Sequence, residues 1–305
     1  MKATVAICTH NRGIDLKEAI DSCIRQDFDP GEFEILVIDN RSTDNTKEIV
    51  LGYQESLEPR IHYVLEENLG LSYARNRAIR EAKGDYILFI DDDAVASETL
   101  IQRMSEVFEM DESIGCVGGR IEPIWQGKIP HWLPAKYRTL YSILDYSDVL
   151  KEMDHGIPFG ANVAFRSSIF QVLDPFRVDL GRIGSNLLSG EESELIARIR
   201  QKYKIFYSPY ASVEHKIAKD RSTIRWFLRR MYWQGVTDAL RSDKKSEFGW
   251  KSGIKLAAAA VALMFTFYNA KLRIRLLTTI MYGSGIIAGA LGSRTKQPIN
   301  QSKAV

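Results

Sequence analysis

The chain has 305 residues, of which 45% are apolar and 26% charged, with a net charge of +2. That balance excludes collagen-like, mucin-like and globally disordered chains, and three scattered cysteines (Cys8, Cys23, Cys116) exclude a disulfide framework or a zinc knuckle. The total conceals a division: residues 1–215 hold 24 Lys and Arg against 35 Asp and Glu, net −11, and residues 216–305 hold 17 against 4, net +13.

An acidic part suits divalent cations, and a basic part suits nucleic acid or an anionic membrane surface. The apolar run at the start is too short for a signal-peptide core, so a reducing cytosolic compartment is the expectation. Residues 3–8, 34–38, 61–65 and 86–90 are short, apolar and β-branched, and read as buried strands. Helical spacing over about 15–26, 44–57 and 71–82 separates them. This alternation predicts an α/β fold with a mostly parallel sheet covered on both faces. Ligands of such sheets bind beyond the carboxyl ends of the strands.

Past residue 97 the pattern loosens. A helix near 97–110 leads to a Gly-rich strand at 115–122, then to an aromatic stretch with Trp125, Trp132, Tyr137, Tyr141 and Tyr146. Residues 160–166 read as a strand, 190–203 as a helix, 205–209 and 211–215 as two short strands, and about 222–240 as a helix rich in Arg and aromatics. The tail has two apolar segments, 256–270 and 276–291, of 15 and 16 residues. Both fall short of the ~20 residues that span a bilayer, and Lys271, Arg273 and Arg275 lie between them.

Polar residues at the predicted strand ends carry the chemistry. Asp91-Asp92-Asp93 closes the fourth strand, and three adjacent carboxylates repel one another unless a cation or donors sit among them. Mg²⁺ and Mn²⁺ take oxygen ligands and bridge carboxylates to phosphates; the alternative is a solvated acidic turn. Asp39-Asn40 ends the second strand and His10-Asn11-Arg12 follows the first, where such groups either bond a base or ribose or make turns. Arg75, Asn76 and Arg77 begin a helix after Asn68 and Gly70, a place that suits phosphate or a solvated basic face. Ser189-Gly190-Glu191-Glu192 fits the S-x-x-E capping box.

In order, VAICTHNR, EILVIDNRSTDNT, NLGLSYARNRAI, GDYILFIDDD, GANVAFR, GEESEL and VEH resemble the nucleotide-sugar-dependent glycosyltransferases of family 2, which have a GT-A fold. The resemblance covers about residues 3–216, and the lack of G-x-G-x-x-G after the first strand argues against a dinucleotide enzyme. It implies donor contacts by Thr9, Asn11 and Asp39 at the nucleobase, Arg75 near base and diphosphate, and Asp92 at the ribose with Asp91 in support. It further implies a divalent metal, Mn²⁺ or Mg²⁺, on Asp93 with His215, and an acceptor side formed by Gly160, Ala161 and Asn162. Glu191 and Glu192 match an acidic pair whose second member is the general base. Here that member is glutamate rather than aspartate, so its carboxylate reaches one methylene further.

The resulting expectation is an inverting, metal-dependent enzyme with a GT-A domain at 1–216 (donor half 1–96, acceptor half 97–216) and a basic, apolar helical region at 217–305. Its donor is a nucleoside-diphosphate sugar, a UDP-sugar first, and its acceptor is lipid-linked or a saccharide. A catalytically silent nucleotide-sugar-binding module and a processive polysaccharide synthase are the alternatives. Ser222-Thr223-Ile224-Arg225-Trp226 lacks the glutamine of the Q-x-x-R-W motif of processive synthases, which weakens the latter.

Residues 222–292 are expected to dock on the cytoplasmic membrane face, peripherally or monotopically. Arg225, Arg229, Arg230, Arg241, Lys244, Lys245, Lys251 and Lys255 interleave there with Trp226, Phe227, Tyr232, Trp233 and Trp250. The apolar segments beside these charges favour an anionic membrane over nucleic acid. A soluble helical subdomain is the alternative, and Gly285-x-x-x-Gly289 serves either case.

Overall fold

The computed structural model describes residues 1–54, 59–184, 186–242, 245–263, 266 and 269–292. Of the tail residues named above, Lys244 and the side chains of Lys245, Trp250 and Lys251 lie outside the described part. The chain forms two compact units, one of Met1–Gly184 with Glu191–Lys219, the other of Ser185–Gly190 with the chain from Asp220 onward.

The first unit is built on nine strands: β1 (Ala3–Thr9), β2 (Phe33–Asp39), β3 (Arg60–Leu65), β4 (Tyr86–Asp91), β5 (Ala94–Ala96), β6 (Ile114–Trp125), β7 (Lys151–Glu152), β8 (Asn162–Arg166) and β9 (Lys204–Ile217). Helices α1 (Gly13–Ile24), α2 (Thr46–Tyr53), α3 (Leu71–Glu81), α4 (Leu100–Met110) and α5 (Glu191–Ile199) accompany them. The sheet order is β3-β2-β1-β4-β8-β6-β9-β5, with β7 on β9. The half β3-β2-β1-β4 is parallel, as the apolar runs on both faces require. The other half is mixed: β8 runs antiparallel to β4 and β6, whereas β6 and β9 are parallel.

The two short strands expected at 205–215 are one 14-residue strand, β9. It stays continuous by bulging: the consecutive Gly119 and Arg120 of β6 pair with Ser208 and Ser212, so residues 209–211 of β9 are the inserted ones. Asn162, buried on β8, braces that place by donating its amide to the carbonyls of Arg120 and Ala211, each at 2.9 Å. Register also sets the site: Thr9 lies opposite Asp39, Cys8 opposite Asp91, and His215 opposite Ala94.

The second unit contains α6 (Ile224–Arg241), α7 (Lys245–Leu263) and α8 (Ala270–Gly292). Helices α6 and α8 meet backbone to backbone. A Cβ on Gly285 would stand 1.9 Å from the Tyr232 carbonyl oxygen, and one on Gly235 would stand 2.1 Å from that of Tyr282. Tyr282 donates to Asp238 across the same seam at 2.7 Å, and Gln234 bonds Asp238 at 3.0 Å. Lys271, Arg273 and Arg275 fall inside α8 rather than between two segments. Helix propensity in lysine, arginine and leucine extends the apolar stretch, so α8 reaches 23 residues, enough to cross a membrane by length and composition. The expectation that both apolar segments are too short is corrected for α8.

Candidate active site

The carboxyl ends of β1, β2 and β4 form one edge, and the loops after them are tightly tied. Asn11 takes a left-handed backbone, φ 55°, and its Oδ1 accepts from the Thr43 amide at 2.7 Å. Asp39 is buried and accepts from the Ser42 amide and the Tyr63 hydroxyl, both at 2.8 Å. Burial, followed by the hydrogen bond to the Asp39 carboxylate, raises the Tyr63 phenol above its ordinary value, so it stays a donor. Thr9 donates to Asp92 at 2.8 Å, so two of the implied donor contacts are already bonded to each other.

The acidic triplet divides its work. Asp91, Asp93 and His215 each offer one ligand atom, all within 4.8 Å of one another. His215 is carried there by β9, whose Lys216 amide donates to the Asp93 carbonyl at 2.9 Å. Its Nε2 lies 3.2 Å from Asp93 Oδ1, and its buried Nδ1 has no hydrogen-bond partner. Two carboxylates and an imidazole with an unmatched nitrogen fit a divalent cation. Asp91, placed by the resemblance at the donor, thus stands among the groups whose atoms could hold a cation.

Asp92 instead faces Arg12, whose guanidinium stands 3.3 Å from it and in closer contact with Asp93. Burial drives the Asp92 carboxyl upward, Arg12 pulls it back, and the charge of Asp93 raises it again, to about 7.

A second acidic cluster surrounds Arg75, which α3 buries. Its Nη1 donates to Glu191 and to Glu192, each at 2.9 Å, and its Nη2 lies 3.8 Å from Asp91. Gly160 makes room for this: a Cβ there would stand 1.8 Å from Arg75 Nη2 and 2.7 Å from Glu192 Oε1. The Gly160 amide donates to that same oxygen at 3.3 Å.

Burial and then the charge of Glu192 push Glu191 up to about 8, against the pull of Arg75. Glu192 is held below its ordinary value: burial opposes its charged form, but Arg75 and the hydrogen bonds around it outweigh that cost. The capping box does not form. Helix α5 begins at Glu191, and the Ser189 amide donates instead to Thr237 at 3.2 Å.

Tyr63 is a site residue that no motif names, and Arg12, expected at a base, a ribose or a turn, instead meets carboxylates. Arg12 stood within a quoted loop, but nothing in the spacing reveals that it meets the carboxylates of Asp92 and Asp93. Of the residues expected on the acceptor side, Gly160 touches Glu192, Ala161 is buried, and Asn162 braces strands.

Residues 4–173, more than half of the chain, match the sequence model described as glycosyl transferase family 2. The chain belongs to this family. The glucosyl-dolichyl phosphate glucuronosyltransferase of Haloferax volcanii is 25% identical to this family 2 glycosyltransferase over 243 residues, 78% of this chain and 76% of its own. The succinoglycan biosynthesis protein ExoM of Rhizobium meliloti is 23% identical over 309 residues, 94% of this chain and 92% of its own. Among solved structures, the mannosyltransferase PcManGT from Pyrobaculum calidifontis, in complex with GDP-Man and Mn²⁺, superposes with a TM-score of 0.64 at 21% identity, covering 94% of this chain and 86% of that one. That likeness establishes the GT-A fold.

Proposed function

We propose that this family 2 glycosyltransferase is an inverting, divalent-metal-dependent enzyme that moves a sugar from a nucleoside-diphosphate sugar to a lipid-linked or polysaccharide acceptor. The observation that carries the reading is the pair of acidic clusters on one sheet edge: a cation set of Asp91, Asp93 and His215, and an ionised Glu192 facing Gly160. The relatives' names, one with a dolichyl phosphate and one with succinoglycan, support an acceptor of this class.

Glu192 takes the proton of the acceptor hydroxyl as that oxygen attacks the anomeric carbon opposite the departing diphosphate. The Gly160 amide and Arg75 hold the carboxylate in place, while Glu191 keeps its proton near neutrality. Asp91, Asp93 and His215 hold Mn²⁺ or Mg²⁺, which when bound offsets the charge that grows on the leaving diphosphate. Thr9, Asn11, Asp39 and Asp92 line the nucleoside side, and Tyr63 fixes the orientation of Asp39. A panel of UDP-, GDP- and dTDP-sugars with Mn²⁺, scored for nucleoside diphosphate release, tests the donor reading. Turnover of one donor, a UDP-sugar first, is expected; no release from any donor contradicts it.

The second unit docks on the cytoplasmic membrane face. Arg225, Arg229, Lys255, Lys271, Arg273 and Arg275 are exposed, whereas Arg230 and Phe227 are buried and drop out of the basic, aromatic series. Spanning by α8 would draw the acidic Asp238 of its partner α6 towards hydrocarbon, where an ionisable side chain costs about 2.5–3.5 kcal/mol or more. Docking at the interface avoids this. The intact chain is expected to float with anionic liposomes and to lose flotation in high salt, or when Lys255, Lys271, Arg273 and Arg275 are changed to Gln. Flotation indifferent to both changes contradicts surface docking.

A further inference from the structure

The resemblance puts Arg75 beside the donor's base and diphosphate, yet its guanidinium is enclosed by protein carboxylates. It is nearly inaccessible, touches Glu191 and Glu192 at 2.9 Å with one nitrogen, and lies 3.8 Å from Asp91 with another. Gly160 is placed against that second nitrogen so closely that any side chain there would evict it. Phe176 covers the guanidinium, whose carbon lies 5.4 Å from the ring centroid. This is the environment of a fixed internal cation.

We infer that Arg75 is a positioning residue for the Glu191–Glu192 pair, locking the Glu192 carboxylate against Gly160 and tying it to Asp91, rather than a donor ligand. The inference rests on the reading of Glu192 as the base. The groups that face Glu192 are Arg75 from α3, Glu191 from its own helix α5, and the Gly160 amide that precedes β8. Asp91 of β4 faces Arg75 from the other side, 3.8 Å from its Nη2. Two acids in one buried site raise each other's cost of ionising, and a single adjacent cation offsets only one negative charge. Arg75 is that cation, and its single contacting nitrogen spans both carboxylates. Arg75 thereby divides the roles, with the charge on Glu192 and the proton on Glu191.

The test is the pH profile of kcat for Arg75→Gln, with Arg75→Lys as the conservative variant, alongside calorimetric titrations with UDP and with GDP. Loss of an adjacent guanidinium releases a carboxylate by about one to three pH units. The acid limb of Arg75→Gln is therefore expected to move up by that amount, with the rate recovering towards alkaline pH. Arg75→Lys should restore much of the limb, and nucleotide affinity should match wild type in both variants. Gly160→Ala leaves Arg75 in the chain but crowds its guanidinium, and should shift the limb the same way; it serves if Arg75→Gln does not fold.

An unmoved limb in either folded variant overturns the inference, as does a loss of nucleotide affinity in Arg75→Gln with the limb unchanged, which is the signature of a donor ligand. Failure of the base reading looks different: Glu192→Gln would then transfer at the wild-type rate.

Discussion

Glu192→Gln is expected to lower kcat by about 10²–10⁴, the usual effect of removing a general base, with a fall in melting temperature limited to the lost charge pairing with Arg75. Glutamine keeps the shape of the side chain, and its carbonyl oxygen can still accept from Arg75 and the Gly160 amide, which bond Glu192 at 2.9 and 3.3 Å. Only the charge and the proton affinity are lost. Glu191→Gln is the control, since Glu191 is raised to about 8 and a glutamine imitates its protonated form. That variant should keep most of the activity.

The two residues also shape stability against pH with opposite signs. Folding raises Glu191 from 4.5 to about 8, so its contribution is full below 4.5 and is lost as pH rises through 8. Glu192 is depressed, so its contribution is present above 4.5 and is lost as pH falls through its folded value. Glu191→Gln should therefore flatten the decline of melting temperature between pH 4.5 and 8. A dead Glu191→Gln beside an active Glu192→Gln would exchange the two roles.

The second large effect concerns the cation set. Wild-type enzyme is expected to stop turning over in excess EDTA and to recover when Mn²⁺ is restored, and Asp93→Ala should not recover at any Mn²⁺ concentration. Its ligand atoms and those of Asp91 and His215 lie within 4.8 Å of one another, so its removal halves the carboxylate charge of the set. The fold should survive, because the triplet loses repulsion along with a ligand. His215→Ala is expected to weaken Mn²⁺ binding, read by electron paramagnetic resonance, since one of three ligands is gone. Transfer undiminished in EDTA would remove the metal from the account.

Much of this site is legible in the sequence, for a definite reason. In the parallel half of the sheet, β1, β2 and β4 are apolar on both faces and each ends in a polar residue, so Thr9, Asp39 and Asp91 announce a shared edge from the sequence alone. Pairing then places them side by side, Thr9 against Asp39 and Cys8 against Asp91. The mixed half was less readable. Strand β9 pairs with three neighbours, β5, β6 and β7, and it passes residues 209–211 as a bulge of its own, where the sequence reads as a break between two short strands.

Ion pairing across long sequence separations was hidden too. Arg12 meets Asp93 and Arg75 meets Glu192 only once the sheet and α5 are assembled. The length of α8 is hidden in the sequence because Lys271, Arg273 and Arg275 read as a break between apolar segments, whereas long basic side chains continue a helix at little cost.

The most direct test of the central claim is the anomeric configuration of the product. With the donor that turns over and a purified lipid-linked or saccharide acceptor, proton NMR of the new linkage reads the anomeric coupling constant. A single base, Glu192, facing the acceptor requires one displacement and therefore an inverted centre, a β-linked product from an α-linked donor. A product that retains the donor's configuration would contradict it.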